Sequence, residues 1–282
     1  MQGYREILEE ARKNGRAVGH FNFANFEMMW GAVHAAQKLN VPVLLGLAEG
    51  ERDWVGVKQA VALIRSLRDD GHTVYLNADH TYSFERVKEA IDAGFDSVIF
   101  DGAKLPMEEN IKITKQCVDY ARQSGRDVIV EAELGYIGEG SMVRDTLPED
   151  IQMTSVEDAA RFVKETGVDL FAPAVGNIHG MLKGTGDTDP PLDTARIKEI
   201  ATAVSVPLVL HGGSGTPNLA DGIKAGITEV HISTEIRKAW HEATAEHFAK
   251  SSGDLAPYKV GHEASLAIEK VASDRLKLFN NL

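Results

Sequence analysis

Three histidines, His80, His179 and His211, stand where apolar runs of the sequence give way to turns. Imidazole is a borderline-soft ligand, and three of them around one Zn2+ leave an open coordination position that a substrate oxygen can enter. Two are followed directly by glycine, in His179-Gly180 and His211-Gly212, so both occupy the same kind of turn. The stretch 207–215, P-L-V-L-H-G-G-S-G, concentrates the most chemistry. Residues 207–210 read as a strand buried on both faces, and His211 ends it. The glycines after it let backbone N–H groups approach an anion closely. Taken alone, the same stretch also reads as an ordinary strand-to-helix turn preceded by a histidine. The other histidines, His20, His34, His72, His241, His247 and His262, read as packing or surface residues.

Carboxylates accompany these imidazoles. Asp79 directly precedes His80 in N-A-D-H. It reads either as a turn cap orienting its neighbour or as an acid beside a metal, placed to move a proton on a bound hydroxyl. In Glu131-Ala132-Glu133, strand alternation puts both carboxylates on one side. Two buried acids are costly unless cations answer them. A metal is one answer, with Asp101 as a further candidate ligand; a structural salt bridge, for instance to Lys104, is the other. Gly212 to Ser214 and Ser233-Thr234 follow the last two strand-like runs, where barrels often hold phosphate. A helix starting near Glu235 points its N-terminal N–H groups at the same spot, and Glu235 itself reads as an ordinary first-turn acid. The loop 180–186 adds flexibility and one ammonium, Lys183.

Positioning these groups takes an alternation of strands and helices that never breaks. Strand-like runs cover 17–23, 41–47, 73–78, 97–101, 128–133, 170–175, 207–211 and 229–233. Helical patterns cover 26–39, 55–68, 84–93, 108–123, 156–166, 194–204, 218–225 and 235–250, after a short first helix at 4–14. Several end at a glycine or asparagine, as at Asn40, Gly94 and Gly167. Eight such units over about 250 residues make the α/β fold a (β/α)8 TIM barrel. A doubly wound open sheet is disfavoured by the lack of Gly-x-Gly-x-x-Gly after the first strand. No linker divides the chain, so 1–282 reads as one domain with a C-terminal helical extension from about 254. The charged helix within that extension, 264–279, is expected against a neighbouring subunit. In a barrel the C-terminal ends of the strands form the active face. Here those ends carry Asn22, Glu49, Asp79-His80, Asp101, Glu131 with Glu133, Asn177 with His179, His211, and His231 with Ser233-Thr234.

Composition narrows the partners. Of 282 residues 43% are hydrophobic and 26% charged, ordinary for a soluble globular protein, and the net charge of -12 comes without a basic cluster. Nucleic acid and anionic membrane surfaces are therefore not expected partners. The single Cys117 reads as a small buried hydrophobe and permits no internal disulfide, which fits a reducing cytoplasm. No signal peptide or membrane helix is expected from the apolar runs.

With those residues on the page, the chain resembles the class II, metal-dependent ketose-bisphosphate aldolases, the fructose- and tagatose-bisphosphate aldolase group. The likeness is strongest in A-D-H at 78–80, D-A-G-F-D-S-V-I-F-D-G at 92–102, V-E-A-E-L-G at 130–135, H-G at 179–180 and H-G-G-S-G at 211–215. The resemblance implies one Zn2+ held by His80, His179 and His211, with Asp101 and Glu133 as alternate ligands when the metal shifts. It implies that Asp79 moves the proton of the sugar hydroxyl and that a zinc-stabilised enediolate remains after cleavage. Gly180, Lys183, Gly212, Ser214, Ser233 and Thr234 match the phosphate cradle, with a monovalent cation near it, and Asn22 matches a substrate contact. A homo-oligomer, dimer or tetramer, acting on a small phosphorylated sugar follows from the same likeness.

Four departures stand out. His231 occupies a position where the family usually has Asn, Asn77 one where it usually has His. The acidic loop, often Gly-Gly-Glu-Glu-Asp, is reduced to Gly138-Glu139-Gly140-Ser141, which leaves Glu139 as the proton donor. No arginine for a far phosphate is evident after about residue 251, which points to a substrate unlike fructose 1,6-bisphosphate, with one phosphate. The expected activity is a carbon–carbon lyase cleaving a phosphorylated ketose. An isomerase or epimerase using His231 as an extra acid–base group, and a non-catalytic phosphosugar-binding barrel, are the alternatives.

Overall fold

The eight apolar runs become eight parallel strands that close on themselves in the order Val18–Asn22, Ile227–Ile232, Leu208–Leu210, Leu170–Pro173, Ile129–Leu134, Ser97–Phe100, Val74–Thr81 and Val43–Leu47. The computed structural model describes residues 2–184, 186–250 and 256–282. Barrel strands are β1 (Val18–Asn22), β2 (Val43–Leu47), β3 (Val74–Thr81), β4 (Ser97–Phe100), β5 (Ile129–Leu134), β7 (Leu170–Pro173), β9 (Leu208–Leu210) and β10 (Ile227–Ile232). Two short segments, β6 (Val143–Arg144) and β8 (Met181–Leu182), pair separately above the mouth. Helices α1 (Tyr4–Lys13), α2 (Phe26–Leu39), α3 (Glu49–Val55), α4 (Val57–Asp69), α5 (Phe84–Ala93) and α6 (Met107–Gln123) cover the first half. The second half carries α7 (Val156–Thr166), α8 (Thr194–Ala203), α9 (Leu219–Ala225), α10 (Thr234–Lys250) and α11 (Pro257–Asn280).

Local chemistry sets the helix ends. Asn25, Ser83, Ser155 and Asp193 accept the free N–H groups of the first turns of α2, α5, α7 and α8. Asn40, Gly94 and Gly167 close α2, α5 and α7 in left-handed conformation, as the sequence predicts. The single helix expected at 55–68 is preceded by a separate one, because Gly56 at φ +92 breaks α3 from α4.

Two layers of apolar burial hold the barrel. The outer one lies between strands and helices. The inner one fills the N-terminal end, where Tyr4, Ile7 and Leu8 of α1 plug the barrel against Val18, Leu44, Tyr75, Ile129, Leu170 and Val209. Because side chains alternate along a strand, the next inward positions toward the C-terminal ends include His20, Gly46, Asn77, Glu131 and His211, while Glu229, level with Val18, meets Tyr4 of the plug. The barrel is thus apolar at its closed end and polar toward its mouth.

The last helix packs one face into this chain: its stripe Ala264, Ile268, Ala272, Leu276 and Phe279 is 0% exposed. Ile268 reaches Gly31 of α2 and Leu276 reaches Gly19 of β1 so closely that a methyl group on either glycine would collide. The expected start of the extension near 254, and Thr185 of the 180–186 loop, lie outside the described residues.

Candidate active site

Adjacent residues of a regular strand point to opposite faces, yet Asp79 and His80 both reach the mouth. The end of β3 makes this happen by breaking its regularity. Its register with β4 shifts between Ala78 and Thr81, and His80 adopts φ +38, a left-handed conformation rare outside glycine. His211 follows the last residue of β9, and His179 lies in the loop between β7 and β8. The rings of His80 and His179 are 4.8 Å apart between centroids, those of His80 and His211 4.8 Å, and those of His179 and His211 6.0 Å. The three imidazoles meet at one end of the barrel.

Hydrogen bonding fixes which nitrogen each ring offers. His80 Nδ1 lies 2.8 Å from Asp101 Oδ2, His179 Nδ1 2.8 Å from the Gly138 carbonyl, and His211 Nε2 2.8 Å from Glu131 Oε1. Each partner is an acceptor, so each of these ring nitrogens donates. The bare nitrogens left over are His80 Nε2, His179 Nε2 and His211 Nδ1, and all three ligand atoms lie within 4.8 Å of one another. His179 Nε2 is buried with no partner, and His80 Nε2 faces His211 Nδ1 at 3.2 Å. Two lone pairs that close repel unless a proton or a cation sits between them. Tetrahedral Zn–N bonds of about 2.0–2.1 Å put neighbouring nitrogens about 3.3 Å apart, so this donor set fits Zn2+. The outer donors to carboxylate and carbonyl are the supporting bonds that metal-ligating histidines use.

The electrostatics agree. Burial works against a charge on His80, but Asp79, Asp101 and Glu133 raise its pKa well above the usual histidine value. Burial, reinforced by His80, lowers His179 to about 4, and burial with His231 and His80 lowers His211 as well. The trio therefore favours a single positive charge. Burial raises Glu131 and Glu133 well above the carboxylate range, and each leaves one oxygen unpartnered. Lys104, the sequence candidate for answering them, instead pairs with Glu139.

Beside the histidines stands Asp79, 3% exposed. Its Oδ2 accepts from Asn22 Nδ2 at 2.9 Å, and its Oδ1 lies 3.4 Å from His231 Nδ1. Burial opposes its ionisation, but His80, the contact with His231 and His20 hold it well below the usual carboxylate range. His231 Nε2 donates to Glu229 Oε1 at 2.8 Å, and Glu229 in turn accepts from Tyr4 OH at 2.5 Å. Although burial opposes it, the contacts with Asp79 and Glu229 raise His231 to about 10. His20, read from sequence as a packing residue, stacks on His231 at 3.6 Å with planes 10° apart, and its Nε2 is 3.3 Å from Asn77 Nδ2. His20, Asp79 and His231 also lie within ligating reach of one another. Two parallel stacked rings aim their lone pairs side by side rather than at one point, so this trio does not suit a single ion.

Gly180, Gly212, Ser214, Ser233 and Thr234 border the same cavity of about 160 Å³, with Asn22, Asp79, the three histidines, Asp101, Glu139 and His231. Gly212 has φ +60, and a Cβ there would lie 1.9 Å from the Ile178 carbonyl oxygen, so the cradle is built on a close backbone crossing. Glu133 sits behind His80, with its Oε2 3.9 Å from His80 Nδ1, and its ligand atom lies within 4.8 Å of those of His80 and Asp101, a second set that could hold a metal ion. One expected residue stands apart. Lys183 is exposed, 3.5 Å from Asp145, and does not border the cavity. Arg237, absent from the sequence reading, does border it and pairs with Glu51 at 2.5 Å. Its signal was its place in the first turn after Ser233-Thr234. His20 had a signal too, lying two residues before Asn22 on the same face of β1. Arg275, in the C-terminal helix, is bound to Glu235 and Asp187 rather than to the cavity.

A family model described as "Fructose-bisphosphate aldolase class-II" matches residues 2–282. The chain is 36% identical over 283 residues to a fructose-bisphosphate aldolase of Geobacillus stearothermophilus, covering 98% of this chain and 96% of that protein. It is 35% identical over 281 residues to one of Staphylococcus aureus (strain Mu50), covering 98% and 96%. Among solved structures, the YdjI aldolase from Escherichia coli K12 superposes with a TM-score of 0.82 at 32% identity, covering 98% and 96%. A fructose-bisphosphate aldolase from Campylobacter jejuni, at 19% identity and a TM-score of 0.81 over 98% and 93%, shares the fold.

Proposed function

The chain belongs to the class-II fructose-bisphosphate aldolase family and is an aldolase, a carbon–carbon lyase; from that premise we propose how its own residues perform a metal-dependent cleavage of a phosphorylated ketose. The carrying observation is the set of three histidines whose outer nitrogens donate and whose inner nitrogens converge. They hold Zn2+, with Asp101 and Glu133 as alternate ligands. When bound, the ion supplies Lewis-acid polarisation of the ketose carbonyl and its neighbouring hydroxyl. Asp79 Oδ1, kept ionised beside His231, takes the proton of the hydroxyl borne by the far carbon of the scissile bond. That oxygen becomes the aldehyde carbonyl, the carbon–carbon bond breaks, and its electron pair stays with the ketone fragment. Glu139 returns a proton to the carbon so freed. Gly180, Gly212, Ser214, Ser233 and Thr234 hold the phosphate, with a monovalent cation beside it, and Asn22 orients Asp79 and the substrate.

The preferred substrate carries one phosphate. This is supported by the cations near the mouth, since Arg237 is taken by Glu51, Lys104 by Glu139 and Arg275 by Glu235. His231 orients Asp79 from a position held by Glu229, which leaves an isomerase reading without a free second acid–base group. The working form is a homo-oligomer of the reducing cytoplasm; no helix among the described residues is long and apolar enough to cross a membrane. The test is aldehyde release from mono- and bisphosphorylated ketoses with Zn2+ present. The monophosphates are expected to be cleaved faster, and Asp79→Asn to lower kcat by about 10²–10⁴. Ketose interconversion without aldehyde would refute the cleavage, and a clear preference for fructose 1,6-bisphosphate would refute the substrate.

A further inference from the structure

Helix α3 turns three charged side chains toward the end of β3, and none of them serves the reaction as acid, base or ligand. Glu49 Oε1 accepts from the Tyr82 backbone N–H at 2.9 Å. Glu51 Oε2 accepts from Asn22 Nδ2 at 3.0 Å, the same amide that donates to Asp79 Oδ2 at 2.9 Å. Arg52, 1% exposed, donates through Nη1 to the carbonyls of Leu47 at 2.6 Å and Asp79 at 2.9 Å, and through Nη2 to Thr81 Oγ1 at 2.9 Å. One short helix therefore grips residues 79–82 at three atoms, and reaches a fourth, Asp79 Oδ2, through Asn22.

What it grips is the irregular turn that lets Asp79 and His80 share one face. A left-handed non-glycine residue persists only where its surroundings over-determine it. Arg52 is a costly way to supply that, because its guanidinium is buried and its nearest carboxylate, Glu49, is 4.0 Å away. A barrel wall needing only stability is as well served by an apolar side chain. A planar fork, in contrast, can hold two carbonyls and a hydroxyl at once.

We propose that Arg52 is a positioning residue that clamps the left-handed turn at Asp79-His80, so that base and metal ligand from neighbouring positions face the substrate together, while Glu51 aligns the Asp79 carboxylate through Asn22. The inference rests on the proposed roles of Asp79 and His80. Its first readout, Zn2+ affinity, needs no turnover, so the two can fail separately.

The test uses the full chain with Arg52→Lys and Glu51→Gln, with folding checked by circular dichroism and Tm. Arg52→Lys keeps the charge but loses the fork. Its Zn2+ affinity, by chelator competition, is expected to fall about ten- to a hundredfold. At saturating Zn2+ its kcat is expected to fall at least tenfold, with KM within threefold. The visible spectrum of its Co2+-loaded form is expected to shift. Glu51→Gln, which touches Asp79 through Asn22 and loosens Arg237 but reaches no histidine, is expected to lower kcat and leave Zn2+ affinity within twofold. A folded Arg52→Lys protein with both affinity and kcat within twofold of the parent overturns the proposal. Should Arg52→Lys not fold, Glu51→Gln decides: unchanged kcat, or an equal loss of affinity and kcat, also overturns it.

Discussion

Glu131 should oppose stability and serve metal binding at once, and Glu131→Gln separates the two. The carboxylate is 0% exposed on β5, with Oε1 accepting from His211 Nε2 at 2.8 Å and Oε2 unpartnered. A glutamine oxygen can still accept from His211, so the ring keeps its orientation. What is lost is the negative charge that makes the imidazole a stronger ligand. Removing such a supporting partner lowers metal affinity by about ten- to a hundredfold, or about 1.4–2.7 kcal/mol. Chelator competition at pH 7.5 on parent and variant measures it.

The metal-free protein should respond in the opposite direction. Burial raises the folded pKa of Glu131 above its unfolded value. An acid raised on folding contributes stability that is fully present below the unfolded value, about 4.3, and lost as pH rises through the folded one. At neutral pH the buried charge is thus a burden, and the variant should melt higher than the parent when both are stripped of metal. The gap should close on acidification toward pH 4. Zinc affinity within twofold of the parent would refute the claim that His211 is tuned through this carboxylate. A lower metal-free Tm at pH 7.5 would refute the claim that its charge is unanswered.

Other expectations are equally direct. Gly212→Ala forces a Cβ to within 1.9 Å of the Ile178 carbonyl at φ +60; a loss of about 3 kcal/mol in urea-denaturation stability is expected, and an unchanged midpoint would show that the crossing relaxes freely. Asp189 accepts from the Leu182 N–H at 2.6 Å, and burial, with Glu235 and Asp187, raises it to about 6. By the same sign rule Asp189→Asn should stabilise by about 1 kcal/mol at pH 8, after allowance for solvent screening near the loop surface, with the gain shrinking as pH falls through 6; a gain independent of pH would contradict it. Lys183→Ala should change KM by less than threefold, whereas Ser214→Ala, inside the cavity, should raise it more; the reverse order would return the phosphate contact to Lys183.

The barrel was legible because its signals are periodic. Eight apolar runs, each followed by a helical pattern with a readable stop, leave one closed parallel arrangement, and the helices at 26–39, 84–93 and 156–166 begin and end where caps say they should. The three histidines were legible for a related reason, since strand ends face one mouth. Two things were not. The C-terminal helix carries enough charge to look external, yet its spacing at 264, 268, 272, 276 and 279 forms one apolar stripe, and only the packed fold says which surface receives it. Arg52 gave no sign either, because its partners are backbone carbonyls, which have no letter in a sequence.

His20 ties together two of the departures from the family pattern. The resemblance leads one to expect His at 77 and Asn at 231, where this chain carries Asn77 and His231, and in sequence these look unrelated. In the barrel His20 touches both, Asn77 through Nε2 at 3.3 Å and His231 by stacking at 3.6 Å. The contact is allowed by Gly46, on the strand between β1 and β3, where a Cβ would lie 2.0 Å from His20 Nε2. An imidazole reaches the middle of the barrel from β1, and its neighbour His231 lies 3.4 Å from Asp79. The two positions therefore belong to one cluster behind the base. A change at any one of its members should be felt at Asp79.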